Sequence, residues 1–186
     1  MVDQCQAERV ITIDTLSGAE AAAHREDVLS VWSAAFGPVE NPEEWEASPW
    51  DRHRSRPGYR LVLAHDGDEK VGFAWGYTGE RGQYWSDTIL REAGPRIEGW
   101  VGGHFEFVEL AVLPEARGRG VGGRLHDALL ADLPHDRALL ATSDSPDDPA
   151  VRLYLSRGWR RLAGHGDGRQ IMGLHLSTWL RHILDA

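Results

Sequence analysis

The chain has a single cysteine, Cys5, in 186 residues. One cysteine closes no intrachain disulfide and makes no cysteine-rich zinc site, so the fold has to rest on its apolar core. Nine histidines are present, but none falls in His-Glu-x-x-His or another metal-ligand spacing, and no metal is expected. No stretch approaches the ~20 apolar residues of a membrane span, and the N-terminal segment has no secretion-type apolar run. Basic side chains are the scarcer sign, 20 against 29 acidic, for a formal net charge of −9. Non-specific nucleic-acid binding draws its affinity from Lys and Arg on phosphates, so this balance argues against it. An acidic surface is compatible with a cationic acceptor. The expectation is a soluble cytoplasmic protein that binds neither nucleic acid nor membrane.

The apolar fraction of 41% and charged fraction of 26% are those of an ordinary folded protein. The length suits one domain, expected to span residues 1–186, because no repeat, low-complexity tract or linker divides it. Arg9–Asp14 alternates with β-branched residues and reads as a strand. A helix follows, with Ser17 as its cap and an apolar stripe of Ala21, Val28, Leu29, Trp32 and Phe36; Gly37-Pro38 ends it. Asn41-Pro42 starts a second helix that carries Trp45 and Trp50. Tyr59–Ala64 and Lys70–Tyr77 form a hairpin across Asp66-Gly67. Gly79–Gly103 is the least regular region, with a helix around Asp87–Ala93. Phe105–Leu113 is the strongest strand candidate, followed by a helix over Gly122–Leu133. A strand at Arg137–Thr142, a helix at Pro149–Arg157 closed by Gly158, and strands at Trp159–Leu162 and Gln170–Leu176 complete an α/β pattern.

Arg117-Gly118-Arg119-Gly120-Val121-Gly122-Gly123 lies between the strongest strand and a helix. Glycines let backbone amides approach an anion, and a helix N-terminus adds unpaired N–H groups and the positive end of its dipole. A phosphate-bearing ligand is the chemical reading; a plain glycine-rich turn is the alternative. Gly118-x-Gly120-x-x-Gly123 also matches the dinucleotide fingerprint, with Asp144 about twenty residues on. That fingerprint normally opens its fold, whereas here several strands precede it and 63 residues remain after Gly123. A P-loop fails because Gly123 is followed by Arg124-Leu125 rather than Lys-Ser/Thr.

The segment Glu109-Leu-Ala-Val-Leu-Pro114-Glu-Ala-Arg117-Gly-Arg-Gly120-Val-Gly122 resembles the Arg/Gln-x-x-Gly-x-Gly/Ala signature of the GNAT superfamily of N-acetyltransferases. One strand later, Ala150-Val-Arg-Leu-Tyr154-Leu-Ser-Arg-Gly158-Trp159 resembles the family's second signature. The resemblance covers residues 59–176 well. It implies a mixed, mostly antiparallel central sheet flanked by helices, with acetyl-CoA as co-substrate, a small-molecule or peptide amine as acceptor, and a homodimer as a common assembly. It further implies that the backbone of Ala111, Val112 and Leu113 pairs with the pantetheine arm. The amides of Arg117, Gly118, Arg119, Gly120, Val121, Gly122 and Gly123 would hold the pyrophosphate, with Arg117 or Arg119 adding charge-assisted bonds. A backbone N–H near Val112 would stabilise the acyl oxygen, and Tyr154 would return a proton to the leaving thiolate. Asp147 departs from the asparagine frequent in the family.

Glu106 and Glu109 are acids in an otherwise apolar strand, where a carboxylate is costly unless paired or raised in pKa. In a regular strand they face opposite sides, so only one enters the acceptor cleft unless a bulge intervenes. The resemblance favours Glu106 as base; Glu109 and a water chain stay open. Among eight tryptophans, Trp32, Trp75 and Trp159 read as core. Trp45, Trp50, Trp85 and Trp100 fall in regions that shape the acceptor pocket in the family, where they would line an aromatic cleft, fill core or form a dimer interface. His104 and His126 read as packing or surface residues. The alternative to an enzyme is a non-catalytic acyl-CoA-binding or regulatory module on the same fold.

Overall fold

The computed structural model describes residues 10–177 and residue 179; Cys5 and Arg9 lie outside them. The strands are β1 (Ile11–Ser17), β2 (Arg60–Asp66), β3 (Glu69–Gly79), β4 (His104–Val112), β5 (Arg137–Ser143), β6 (Arg160–Gly164) and β7 (Arg169–His175). The described helices of eight residues or more are α1 (Arg25–Phe36), α2 (Tyr84–Ala93), α3 (Val121–Leu130) and α4 (Pro149–Ser156). All seven strands join one sheet in the order β1-β2-β3-β4-β5-β7-β6. Only β4 and β5 run parallel. The mixed, mostly antiparallel sheet flanked by helices is therefore the architecture observed. None of the described helices is long and apolar enough to cross a membrane.

Local chemistry accounts for most of the boundaries. Ser17 ends β1 and caps a short turn at Gly18–Ala21 through a reciprocal pairing with Glu20. Asn41 accepts from the Glu44 N–H at 3.2 Å, and Pro42 occupies the first turn that follows. Gly67, at φ +64°, makes the β2–β3 turn. Several boundaries differ from expectation, and two of them have a visible local cause. Helix α3 stops at Leu130 rather than Leu133, because Ala131 is extended and Asp132 takes a left-handed φ of +53°. The Arg60 guanidinium then bonds the carbonyls of Leu129 and Ala131 and seals that end. Within Gly79–Gly103, α2 begins at Tyr84, three residues before the expected Asp87, whose carboxylate instead accepts from the Gly82 N–H at 2.8 Å. Its Ile89 is buried with Ile97, Val101, Leu139 and Ile171 in a second, smaller core.

Side-chain alternation divides the faces of the sheet. Phe73 and Trp75 of β3 stack with Trp32 of α1, with ring centroids 6.2 and 5.6 Å apart. Trp45 and Trp50 join that cluster, stacked on each other at 5.7 Å, and both are buried. On the other face a Cβ at Gly72 would meet the Leu125 side chain at 2.9 Å, so α3 lies against that side of β3.

Candidate active site

Two irregularities in β4 shape the site. The first is a bulge: Trp75 pairs with Glu109 and Gly76 with Phe107, leaving Val108 without a partner on β3. An extra residue reverses the alternation beyond it. Glu106, opposite Tyr77, and Glu109, opposite Trp75, therefore share one face, which the bulge proviso allowed. The second is a splay. The ladder between β4 and β5 holds only Phe105–Ala138 and Glu106–Leu139. Past Glu106 the strands separate and leave one edge of β4 unpaired with β5.

That gap is a chain of cavities with shared walls. A cleft of about 620 Å³ is lined by Ala111, Val112, Ala116, Arg117, Gly118, Gly120, Val121, Gly122, Asp148 and Leu153, among others. Phe36, Leu110 and Ala150 connect it to a wedge of about 370 Å³ that also meets Phe107, Val108, Glu109 and Tyr154. Phe107, Val108, Ala141 and Arg169 in turn connect the wedge to a small cavity of about 180 Å³ lined by Trp85, Glu106 and His165.

The glycine-rich loop suits an anion. Gly118 and Gly120 have φ of +76° and +77°, a region costly to residues with a Cβ, and a Cβ on either would meet only open space. Helix α3 starts at Val121, so the N–H groups of its first turn have no intrahelical acceptor. The Leu113 N–H donates to the Val71 carbonyl at 2.9 Å, so alternation turns the N–H and C=O of Val112 and Leu110 away from β3, toward the open edge. The Val112 carbonyl accepts from Arg117 Nε at 3.2 Å, which holds the guanidinium at the cleft wall.

Three residues expected at the cofactor do not line this cleft. Leu113 is buried and tied to β3. The Arg119 guanidinium donates to Asp66 at 2.7 Å, toward the β2–β3 turn. Gly123 packs beneath Arg157, whose guanidinium a Cβ there would meet at 2.5 Å. The alternatives left open for the four tryptophans separate in the structure. Trp45 and Trp50 are core, Trp100 packs against His175 at 4.5 Å with Arg160 over its ring, and only Trp85 of the four lines the small cavity.

The titratable groups divide between the cavities. Glu106 is buried; its Oε1 accepts from the Tyr77 hydroxyl at 2.8 Å, and its Oε2 has no partner. Burial pushes its carboxyl up to about 7, with the Tyr77 hydrogen bond and Arg56 opposing. Glu109 also rises to about 7 through burial, opposed by Arg169 and the Leu110 N–H. Tyr154 is 6% exposed, packed against Phe107 and Trp159 with centroids 5.8 Å away in each case. Burial and the negative charges of Glu109 and Asp148 raise its hydroxyl well above the usual phenol range. It thus stays protonated and able to donate.

A buried network steadies this tyrosine. His126 is fully buried, with Nδ1 at 2.8 Å from the Asp127 carboxylate and Nε2 accepting from the Trp159 indole at 2.8 Å. Asp127 also receives Arg157 at 3.3 Å. This joins α3 to the end of α4 and gives His126 the packing role. His104 is likewise fully buried. Among the described residues, no group of three or more His, Cys, Asp or Glu is placed to hold a metal ion.

Sequence reasoning missed Tyr77, Phe107, His165 and Arg169. Tyr77 was detectable only through the register that sets it opposite Glu106; the others carry no motif.

A glycine-rich loop suited to an anion, an open strand edge and a buried acid thus lie along one chain of cavities. Residues 25–159 match the model of the acetyltransferase (GNAT) family. The chain is 30% identical over 163 residues to the GCN5-like protein acetyltransferase Rv2170 of Mycobacterium tuberculosis, covering 72% of this chain and 79% of that protein. Solved structures of low sequence identity share the fold, and two illustrate it. The ribosomal-protein-S18-alanine N-acetyltransferase of Escherichia coli superposes at a TM-score of 0.58 with 16% identity, over 90% of this chain and 94% of that one. The PaiA N-acetyltransferase of Thermoplasma acidophilum, in complex with coenzyme A, superposes at 0.57 with 14% identity, over 89% and 99%. The chain belongs to the GNAT acetyltransferase family, whose members take their acetyl group from acetyl-CoA.

Proposed function

We propose that this protein transfers the acetyl group of acetyl-CoA directly to a primary amine, with donor and acceptor bound together. The observation that carries the reading is the placement of two unlike proton groups along one opening. Glu106 lines the small cavity and keeps a buried carboxylate oxygen without a partner, and Tyr154 lines the adjoining wedge with a hydroxyl that has no hydrogen bond among the described residues.

The cleft fits an anionic, amide-bearing donor. The Gly118–Gly122 amides and Arg117 would hold its pyrophosphate, and the open edge at Leu110–Val112 would pair with its amides. Arg119, committed to Asp66, would fix the loop rather than touch phosphate. The donor supplies an activated thioester carbonyl; the protein supplies proton transfer and charge stabilisation.

An alkylammonium, with a reference pKa near ~10, has to lose a proton before it attacks. With a pKa of about 7, Glu106 is about half ionised at neutral pH, suited to a general base. The outward N–H of Leu110 or Val112 offers a hydrogen bond to negative charge developing on the acyl oxygen. As the N–C bond forms and the C–S bond breaks, the thiolate takes a proton from Tyr154, the second amine proton restores the tyrosine hydroxyl, and Glu106 passes the first to solvent. The net reaction releases one proton. Glu109 lines the wedge rather than the small cavity and is assigned to the donor side.

The test is a thermal shift with acetyl-CoA followed by thiol release over a panel of amines. A ligand at 100 times its Kd stabilises by about 2.7 kcal/mol. Stabilisation with thiol release would support the reading, whereas stabilisation without release from any amine would replace it with an acyl-CoA-binding module.

A further inference from the structure

The small cavity beside Glu106 holds charges of both signs. Its negative group is Glu106 itself, whose Oε2 is buried and lacks a partner. Its positive group is Arg169, which opens β7 and lines both this cavity and the wedge. Arg169 is an exposed residue whose guanidinium gives one hydrogen bond, to the Ala141 carbonyl at 3.3 Å, and makes no ion pair among the described residues. The third ionisable neighbour, His165, is already committed to Glu92 at 2.6 Å. Glu109 faces Arg169 across the wedge without reaching ion-pair distance.

A guanidinium stays charged at any working pH and presents a planar fork of donors that matches a carboxylate. In a small space such a fork favours an anion and disfavours a ligand that is only cationic. The cavity is smaller than the roughly 300–1,000 Å³ of ordinary ligand pockets, so it admits a compact head group. Resting on the acetyltransferase reading above, we infer that the acceptor is a small zwitterion, an amine that also carries a carboxylate: Arg169 grips the carboxylate while the amine meets Glu106.

The test compares α- and ω-amino acids with the amines that lack the carboxylate, using thiol-release rates corrected for the free-amine fraction at each pH. The carboxylated partner should be preferred in kcat/KM on the order of tenfold or more, the discrimination expected of a hydrogen bond to a charged group. Arg169→Gln should erase most of that preference, chiefly through KM, and Arg169→Lys should keep part of it. Retention of the acetyl-CoA thermal shift would show that each variant is folded. If Arg169→Gln does not fold, the wild-type preference and Arg169→Lys still decide the matter. Equal or better rates with carboxylate-free amines would overturn the inference while leaving the acetyltransferase reading intact. A displaced pH profile with unchanged preference would overturn it too, assigning Arg169 to Glu109. Failure of every acceptor, carboxylated or not, would instead refute the acetyltransferase reading itself.

Discussion

Replacing Tyr77 with Phe tests the assignment of Glu106 as base, because it removes one hydroxyl and leaves the ring against His53, 5.0 Å away between centroids. In the native protein that hydroxyl donates to Glu106 Oε1 at 2.8 Å and stabilises the ionised carboxylate against a burial penalty that has already raised its pKa to about 7. A hydrogen bond to a charged group contributes about 1.5–3 kcal/mol net, part of which persists with the neutral acid. A differential of about 1.4 kcal/mol moves the pKa upward by roughly one unit, toward 8. The ionised fraction at pH 7 then falls roughly fivefold, while above pH 9 both enzymes are nearly fully ionised. The assay is kcat/KM by thiol release from pH 5.5 to 9.5, read as the ratio of variant to wild type so that the acceptor's own ionisation cancels. The ratio should be lowest on the acid side and recover as pH rises. A pH-independent ratio, or an acid limb moved downward, would refute Glu106 as the group whose ionisation gates the reaction.

Tyr154→Phe should lower kcat on the order of a hundredfold, the usual scale of a lost general acid, and leave the acetyl-CoA thermal shift nearly unchanged; an unaltered kcat would remove Tyr154 from the mechanism. Gly120→Ala forces a Cβ onto a residue at φ +77°, at about 1–2 kcal/mol, and puts a methyl group where the cleft is open. Its melting temperature should fall slightly and its acetyl-CoA titration weaken at least tenfold; native affinity would exclude the loop from anion binding. Glu106→Gln should abolish most activity yet stabilise the fold in alkali. The native carboxyl rises from 4.5 to about 7, so its stabilising contribution is full below pH 4.5 and is lost as pH rises to 7. Thermal melts should therefore favour the variant by up to about 3 kcal/mol at pH 8 and show little gain at pH 4.5; equal gains at both pH values would mean the burial of Glu106 is not what shifts it.

What the sequence shows directly is whatever local chemistry dictates. A glycine needed at positive φ, an Asp-Gly turn and an apolar run bounded by turns can each be read without knowing what packs against them, and the loop at Gly118–Gly122 belongs to that class. The facing of Glu106 and Glu109 does not. It depends on Val108 being skipped in the ladder with β3, a choice made by pairing partners far away in the chain. That one bulge places both carboxylates on the face that carries Tyr77 and Trp75. The tryptophans show the same limit from the other side. Trp45, Trp50 and Trp85 are chemically alike in the sequence, but the first two stack into the cluster around Trp75 and Trp85 alone reaches the small cavity. Arg119 and Arg117 differ only in what lies opposite: Asp66 draws one to the β2–β3 turn, and the Val112 carbonyl keeps the other at the cleft. The proposed cofactor half of the site can thus be read from a motif, because backbone amides and helix termini suit a constant anionic ligand. The proposed acceptor half is assembled from single residues of α2, β4 and the β6–β7 hairpin, and their order in the chain carries no trace of their meeting.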